Sequence, residues 1–132
     1  MTAAEEPTGV LVHLVPAADW AAGGGGHREY RPPGTGPSDF LHLSSPEQVL
    51  VPAGRLFAGR EDLLVVVLDP ARLDGELRWE LGDPPEGDLR FPHLYPVDGR
   101  PAAIPPAAVL AARPLELGAD GRHLPPDVTP AP

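Results

Sequence analysis

The chain has 132 residues, enough for one domain with a core and too few for two. Its formal charge is −9 and it contains no lysine, which argues against nucleic acid and against an anionic membrane surface, since both require a basic face. No cysteine is present, so disulfides, thiolate catalysis and cysteine-based zinc sites are excluded.

Residues 1–8 read as a flexible acidic N-terminus, 9–117 as a single domain, and 118–132 as a disordered proline-rich tail. There is no basic stretch leading into an apolar run of signal length. The longest apolar run, Leu63 to Leu68, is too short to span a bilayer. A cytoplasmic location is therefore expected.

Gly9 to Val15 predicts the first strand. Val10, Val12 and Leu14 share one face; Leu11, His13 and Val15 share the other. Both faces are apolar except at His13, which predicts a central strand. Pro16 to Ala22 predicts a short helix anchored by Trp20 and stopped by Gly23. Residues 23–37 form a long loop that opens with four glycines. It lacks the spacing of a phosphate-binding loop, and reads either as a flap carrying Tyr30 and Arg31 over a pocket or as a surface loop with a partly buried Tyr30. Phe40-Leu41-His42-Leu43-Ser44 predicts a second strand, with Phe40, His42 and Ser44 on one face.

Ser45-Pro46-Glu47-Gln48 follows as a capping box opening a helix to about Ala58. Pro52 and Gly54 predict a kink in it, or two short pieces. Leu63 to Leu68 predicts a strand buried on both faces, and Glu76 to Glu80 an alternating strand with Leu77 and Trp79 inward. Leu89 to Tyr95 predicts a strand with Phe91, His93 and Tyr95 on one face. Pro92 assigns it to an edge or a strand start. Ala111 to Leu117 reads as the last strand. Helices early and antiparallel strands late define an α+β domain.

His13, His42 and His93 lie inside apolar strand patterns, whereas His27 and His123 lie in loops. A lone strand histidine is more often structural than chemical. Three on separate strands, with Ser44 beside His42 and Tyr95 beside His93, point to one shared site if the strands converge. No HExxH motif or nucleophile elbow is present, so a metal is not expected and Ser44 is not read as a nucleophile. Glu80 ends its strand and is a modest candidate acid. Pro46 and Glu47 weaken the following helix start as an anion site.

The ordered set Val12-His13-Leu14-Val15-Pro16, Asp19-Trp20, Glu29-Tyr30-Arg31-Pro32-Pro33, Asp39-Phe40-Leu41-His42-Leu43-Ser44, Leu68-Asp69-Pro70, Arg78-Trp79-Glu80 and Phe91-Pro92-His93-Leu94-Tyr95 closely resembles the DUF952 family of small bacterial proteins. The resemblance spans roughly residues 10–117. It implies an ADP-ribosyltransferase-like fold: a split, mostly antiparallel sheet with two short helices, which in related families clasps NAD. By that analogy His13 and His42 are the signature residues of the first two strands, the pattern also seen in RNA 2′-phosphotransferases. The acidic charge argues against an RNA substrate. No residue matches the third-strand glutamate of typical ADP-ribosyltransferases.

The resemblance thus implies a protein that binds NAD or a similar nucleotide and possesses a route to cleaving the nicotinamide–ribose bond. His13, Ser44, Tyr30, Arg31 and Tyr95 would bind the ligand, and His42, His93 and Glu80 would carry chemistry. The alternatives are a non-catalytic binding or protein-interaction module on the same fold, and a metal-dependent hydrolase.

Overall fold

A computed structural model describes residues 9–82, 85 and 87–131. The segment expected to be a flexible N-terminus, 1–8, lies outside them. The elements run β1 (Leu11–Pro16), α1 (Ala17–Ala22), β2 (Leu41–His42), α2 (Leu50–Leu56), β3 (Leu63–Leu68), β4 (Glu76–Leu81), β5 (Arg90–Tyr95) and β6 (Val109–Pro114), with short 3-10 turns at Pro70–Arg72 and Pro106–Ala108. They build two three-stranded antiparallel sheets, ordered β1-β3-β6 and β2-β5-β4. The α+β class with antiparallel sheets and two short helices is as expected.

The first sheet is apolar on both faces because its strands are. One face packs Leu11, Val15, Val66 and Leu68 against Leu41, Leu43 and Leu94 of the second sheet's side of the molecule. The other packs Val12, Leu63, Val65 and Val67 against Val49 and Ala53 of the α2 region. β3, apolar throughout, takes the centre. β1, expected to be central, instead borders the seam between the sheets. Its Val12 forms a single bridge to Ser44, with Val12 N–H donating to Ser44 O at 2.8 Å and Ser44 N–H donating to Val12 O at 2.9 Å.

Pro92 does not place its strand at an edge. β5 lies between β2 and β4. Within a strand, a residue's N–H and C=O point to the same side. The Pro92 carbonyl accepts from Leu43 N–H at 3.0 Å, so the absent amide faces β2. That strand is two residues long, so the one bond forgone lies just past its end, where Leu43 donates to Pro92 without a bond in return.

The second helix also differs from expectation. Residues 46–49 form a turn, and the helix runs only over Leu50–Leu56. Half of the capping box is present: Ser45 N–H donates to the Gln48 side-chain oxygen at 3.0 Å. The late start puts Pro52 in the first helical turn, where an amide has no intrahelical partner, so no kink is needed.

The tail, expected to be disordered, makes defined contacts. Gly118 N–H donates to Arg122 O at 2.7 Å, Ala131 N–H donates to Leu110 O at 2.8 Å, and Val128 packs on the core layer beneath α2. The chain reverses between Leu117 and His123, which form an antiparallel bridge, and Arg113 donates to Asp127 O at 3.1 Å.

The glycine run serves packing. Trp20 is buried and its ring lies 4.4 Å from that of Tyr30, which is fully buried. A Cβ on Gly25 would overlap the Trp20 ring, and one on Gly23 would overlap the Tyr30 ring. These two glycines let the loop close over both aromatics. Gly25→Ala is therefore expected to lower unfolding stability by about 1–3 kcal/mol through overpacking, with Gly26→Ser, whose Cβ position is open but whose φ is +80°, as a comparison for backbone cost alone. Denaturant melts of the two variants measure the difference. Equal losses would show that ring packing is not what Gly25 provides.

Candidate functional site

The seam between the sheets is where the three strand histidines meet. β1 brings His13 to the face that looks toward the second sheet. Its Nδ1 lies 2.9 Å from the carbonyl oxygen of His42. A carbonyl only accepts, so Nδ1 carries the proton and Nε2 presents a bare lone pair. The side chain is buried, and Nε2 has no hydrogen-bond partner among the described residues. Burial pushes its pKa down to about 4; the backbone bond to His42 opposes the shift and the nearby His42 ring adds to it. His13 is therefore neutral at physiological pH, and an acceptor.

β2 and β5 place His42 directly opposite His93, and β4 adds Arg78 to the same row. Strand alternation puts Phe91, His93, Tyr95 and Glu80 on that face. The rings of His42 and His93 meet edge to face at 5.2 Å. Phe40 stacks on His93 at 4.4 Å and on Tyr95 at 5.0 Å, and tilts against His42 at 4.8 Å. Desolvation by these neighbours, then the charge of His93, holds the pKa of His42 below its ordinary value.

Glu80 is the acceptor at the centre of this face. Its Oε1 takes a bond from Tyr95 O–H at 2.5 Å and one from His93 Nδ1 at 2.8 Å. The Tyr95 bond first, and the His93 bond second, hold the Glu80 carboxyl below its usual range. It is a carboxylate, so His93 Nδ1 must donate. That leaves Nε2 as the acceptor of neutral His93, the same tautomer as in His13. Arg78 lies over the Tyr95 ring at 4.1 Å and pairs with Glu76.

These groups open onto one cleft of about 800 Å³. His13, His42, His93, Ser44, Glu80 and Tyr30 line it, together with Phe40, Phe91 and the α2 residues Pro52, Arg55, Leu56 and Phe57. Of the sequence-predicted residues, His13, His42, His93, Ser44, Glu80 and Tyr30 are thus brought together. Tyr95 is held behind Glu80 and is not in the lining.

Tyr30 is not on a flap. It is fully buried, bridged through its backbone to Ile104, and forms the floor of the cleft beside His13, with ring centroids 5.7 Å apart. Trp20 and His13 supply a pocket for its ring that a mobile loop would forgo. Its hydroxyl is buried without a partner among the described residues, and burial raises its pKa to about 12. Arg31 does not reach the cleft either. Its guanidinium donates to the carbonyls of Thr35 and Gly36 and so holds its own loop. Phe40 was overlooked as a site residue, although its two-residue spacing from His42 already put it on that face. Asp19 and Arg55, which also line the cleft, had no signal in the sequence.

Among the described residues, no group of three or more His, Cys, Asp or Glu is arranged to hold a metal ion. None of their helices is long and apolar enough to cross a membrane.

The fold and cleft define a small α+β domain with a histidine-lined pocket at a sheet seam. A family model described as "Protein of unknown function (DUF952)" matches residues 14–112, and the chain belongs to that family. Its structure is similar to the crystal structure of protein CC0527 from Caulobacter crescentus, at 24% identity and a TM-score of 0.65, over 88% of this chain and 94% of that one. The solution NMR structure of CC0527 matches at 27% identity and a TM-score of 0.63, over 86% and 90%. A search of curated proteins returned no match.

Two expectations follow from the geometry. His13 has a folded pKa of about 4 against 6.5 in an exposed state. Between those values the unfolded chain binds the extra proton, so stability present above pH 6.5 is lost as pH falls toward 4. The loss from this group is on the order of 3 kcal/mol. Denaturant melts across that window, compared with His13→Gln, check it; a parallel fall in the variant would assign the effect elsewhere. At the other end of the site, the hydrogen bond to Glu80, then burial, then the Glu80 charge raise the Tyr95 pKa, and Glu80→Gln weakens that bond and removes that charge. Tyr95 should then ionise at lower pH, read by phenolate absorbance.

Proposed function

We propose that the cleft binds the nicotinamide–ribose end of an NAD-type nucleotide, and that the split sheet is ADP-ribosyltransferase-like. The observation that carries this reading is the pair of unpartnered buried atoms on the cleft floor. His13 Nε2 is an acceptor and Tyr30 O–H is a donor. A ligand hydroxyl is both donor and acceptor, so a ribose hydroxyl suits a floor that offers one of each. Leaving either atom unpaired in a buried site costs about 1–3 kcal/mol, which a bound hydroxyl would recover. Phe40 and Phe91 offer flat apolar walls for a ring.

The fit to the nucleotide is uneven. The nicotinamide–ribose end meets acceptors, a phenol and aromatic walls. A pyrophosphate wants arginine forks, and Arg55 is the one arginine among the described lining residues. When bound, such a nucleotide supplies a glycosidic bond whose cleavage builds positive charge at the ribose. The chain's own contribution is to orient the ribose through His13 and, as water bonds to the ribose carbon that nicotinamide leaves, to accept that water's proton at His93 Nε2, with Glu80 fixing the imidazole's tautomer.

A second reading, a binding module without turnover, is favoured by one observation. Glu80 is already committed to His93 and Tyr95, so it does not present a free carboxylate to a developing charge.

Titration of NAD and ADP-ribose into isotopically labelled full chain tests the proposal. NAD is expected to shift the His13 and Tyr30 resonances, and His13→Ala to weaken binding by about tenfold, the worth of one good hydrogen bond to a buried acceptor. NAD binding that leaves both residues undisturbed would refute the placement. Binding without nicotinamide release would favour the second reading.

A further inference from the structure

The charge of the cleft narrows what it accepts. Asp19, Asp39 and Glu80 line it, against Arg55 as the one arginine among the described lining residues. The influence of Asp19 reaches the floor: its charge, after burial, contributes to the raised pKa of Tyr30. The two histidines whose tautomers are fixed, His13 by the His42 carbonyl and His93 by Glu80, both have Nε2 as their remaining ring acceptor. Neither adds positive charge in its neutral form, and His13 stays neutral through physiological pH. The site therefore combines carboxylates with ring acceptors, and among the described lining residues the buried donor without a partner is the Tyr30 hydroxyl.

Such a site attracts hydrogen-bond donors and positive charge and repels phosphate. Asp19 and Asp39 are solvent-exposed, so the repulsion they set against an anion is largest at low ionic strength and is screened by salt. The α2 side of the lining, Pro52, Leu56 and Phe57, is apolar apart from Arg55.

Resting on the proposed nicotinamide–ribose reading of the cleft, we infer that the cleft prefers a phosphate-free, neutral or cationic nucleoside to the same nucleoside carrying a phosphate. A phosphate carried by the ligand is repelled by these carboxylates and weakens its binding. The ribose hydroxyl sits between His13 Nε2 and Tyr30 O–H. A positively charged base ring packs at the Phe40 wall, on the same side as Glu80.

A matched pair of probes isolates the phosphate: nicotinamide riboside, a cation, and nicotinamide mononucleotide, which differs only by one phosphate. Both are titrated calorimetrically into the full chain at low ionic strength, with the His13 resonances followed in parallel. The riboside is expected to bind about tenfold tighter or more, and the difference should shrink as salt is added. Asp19→Asn, an exposed helix residue, should reduce the preference while leaving the fold unchanged. Equal or tighter binding of the mononucleotide overturns this inference alone and leaves the nicotinamide–ribose site standing. Failure of both probes to bind, or binding that does not touch His13, overturns the inference together with the site reading beneath it.

Discussion

The seam between the two sheets is held by three hydrogen bonds that share neighbouring residues. Val12 and Ser44 exchange backbone bonds, and one residue further along, His13 Nδ1 donates to the His42 carbonyl. This junction sets everything at the cleft. It fixes the distance between β1 and β2 and selects the His13 tautomer, leaving Nε2 as a buried acceptor. It also sets the opposition of His42 and His93, since β2 is too short to hold its own register. A two-residue strand has little ladder of its own, and its position follows from being tied on both flanks, to Val12 and to β5.

Burial and hydrogen bonding act on the polar residues in a consistent direction. His13 is kept neutral by desolvation, and Glu80 is kept ionised by two donors. The two imidazoles of known tautomer are therefore oriented by different partners, a carbonyl in one case and a carboxylate in the other. The carboxylate partner is the more responsive device: loss of its charge would release both His93 and Tyr95, whereas the carbonyl cannot titrate.

Much of the site could be read from residue order. Strand alternation placed His13 opposite to Val12, grouped Phe91, His93 and Tyr95, and made Phe40 a companion of His42. These are local consequences of a two-residue period, and they survive any tertiary arrangement. What could not be read depends on long-range packing. Tyr30 looked like a loop residue because glycines and prolines surround it; those same glycines are absent of side chains so that Trp20 and Tyr30 can pack. Arg31 looked like a phosphate ligand because of its charge, but nearby carbonyls claim it. Pro92 argued for an edge by a rule that assumes long neighbours, and β2 is not long. Pro52 argued for a kink only if the helix began at Pro46. The tail's apolar anchor, Val128, stands alone among prolines and carries no periodic signal.

The topology also orders the assembly of the site in time. β4 and β5 are neighbours in sequence, so the pairing that sets Glu80 against His93 and Tyr95 closes a short loop. The first sheet is different. Leu11 pairs with Leu68, and Leu68 with Val109, so each pairing joins segments far apart in the chain. Loop-closure entropy makes such contacts slow to form. The Glu80 network can thus exist on a local hairpin before His13 has any partner. The buried acceptor at the floor arises only when β1 has found both β3 and Ser44, which makes completion of the cleft floor a late property of the folding chain rather than of any one element.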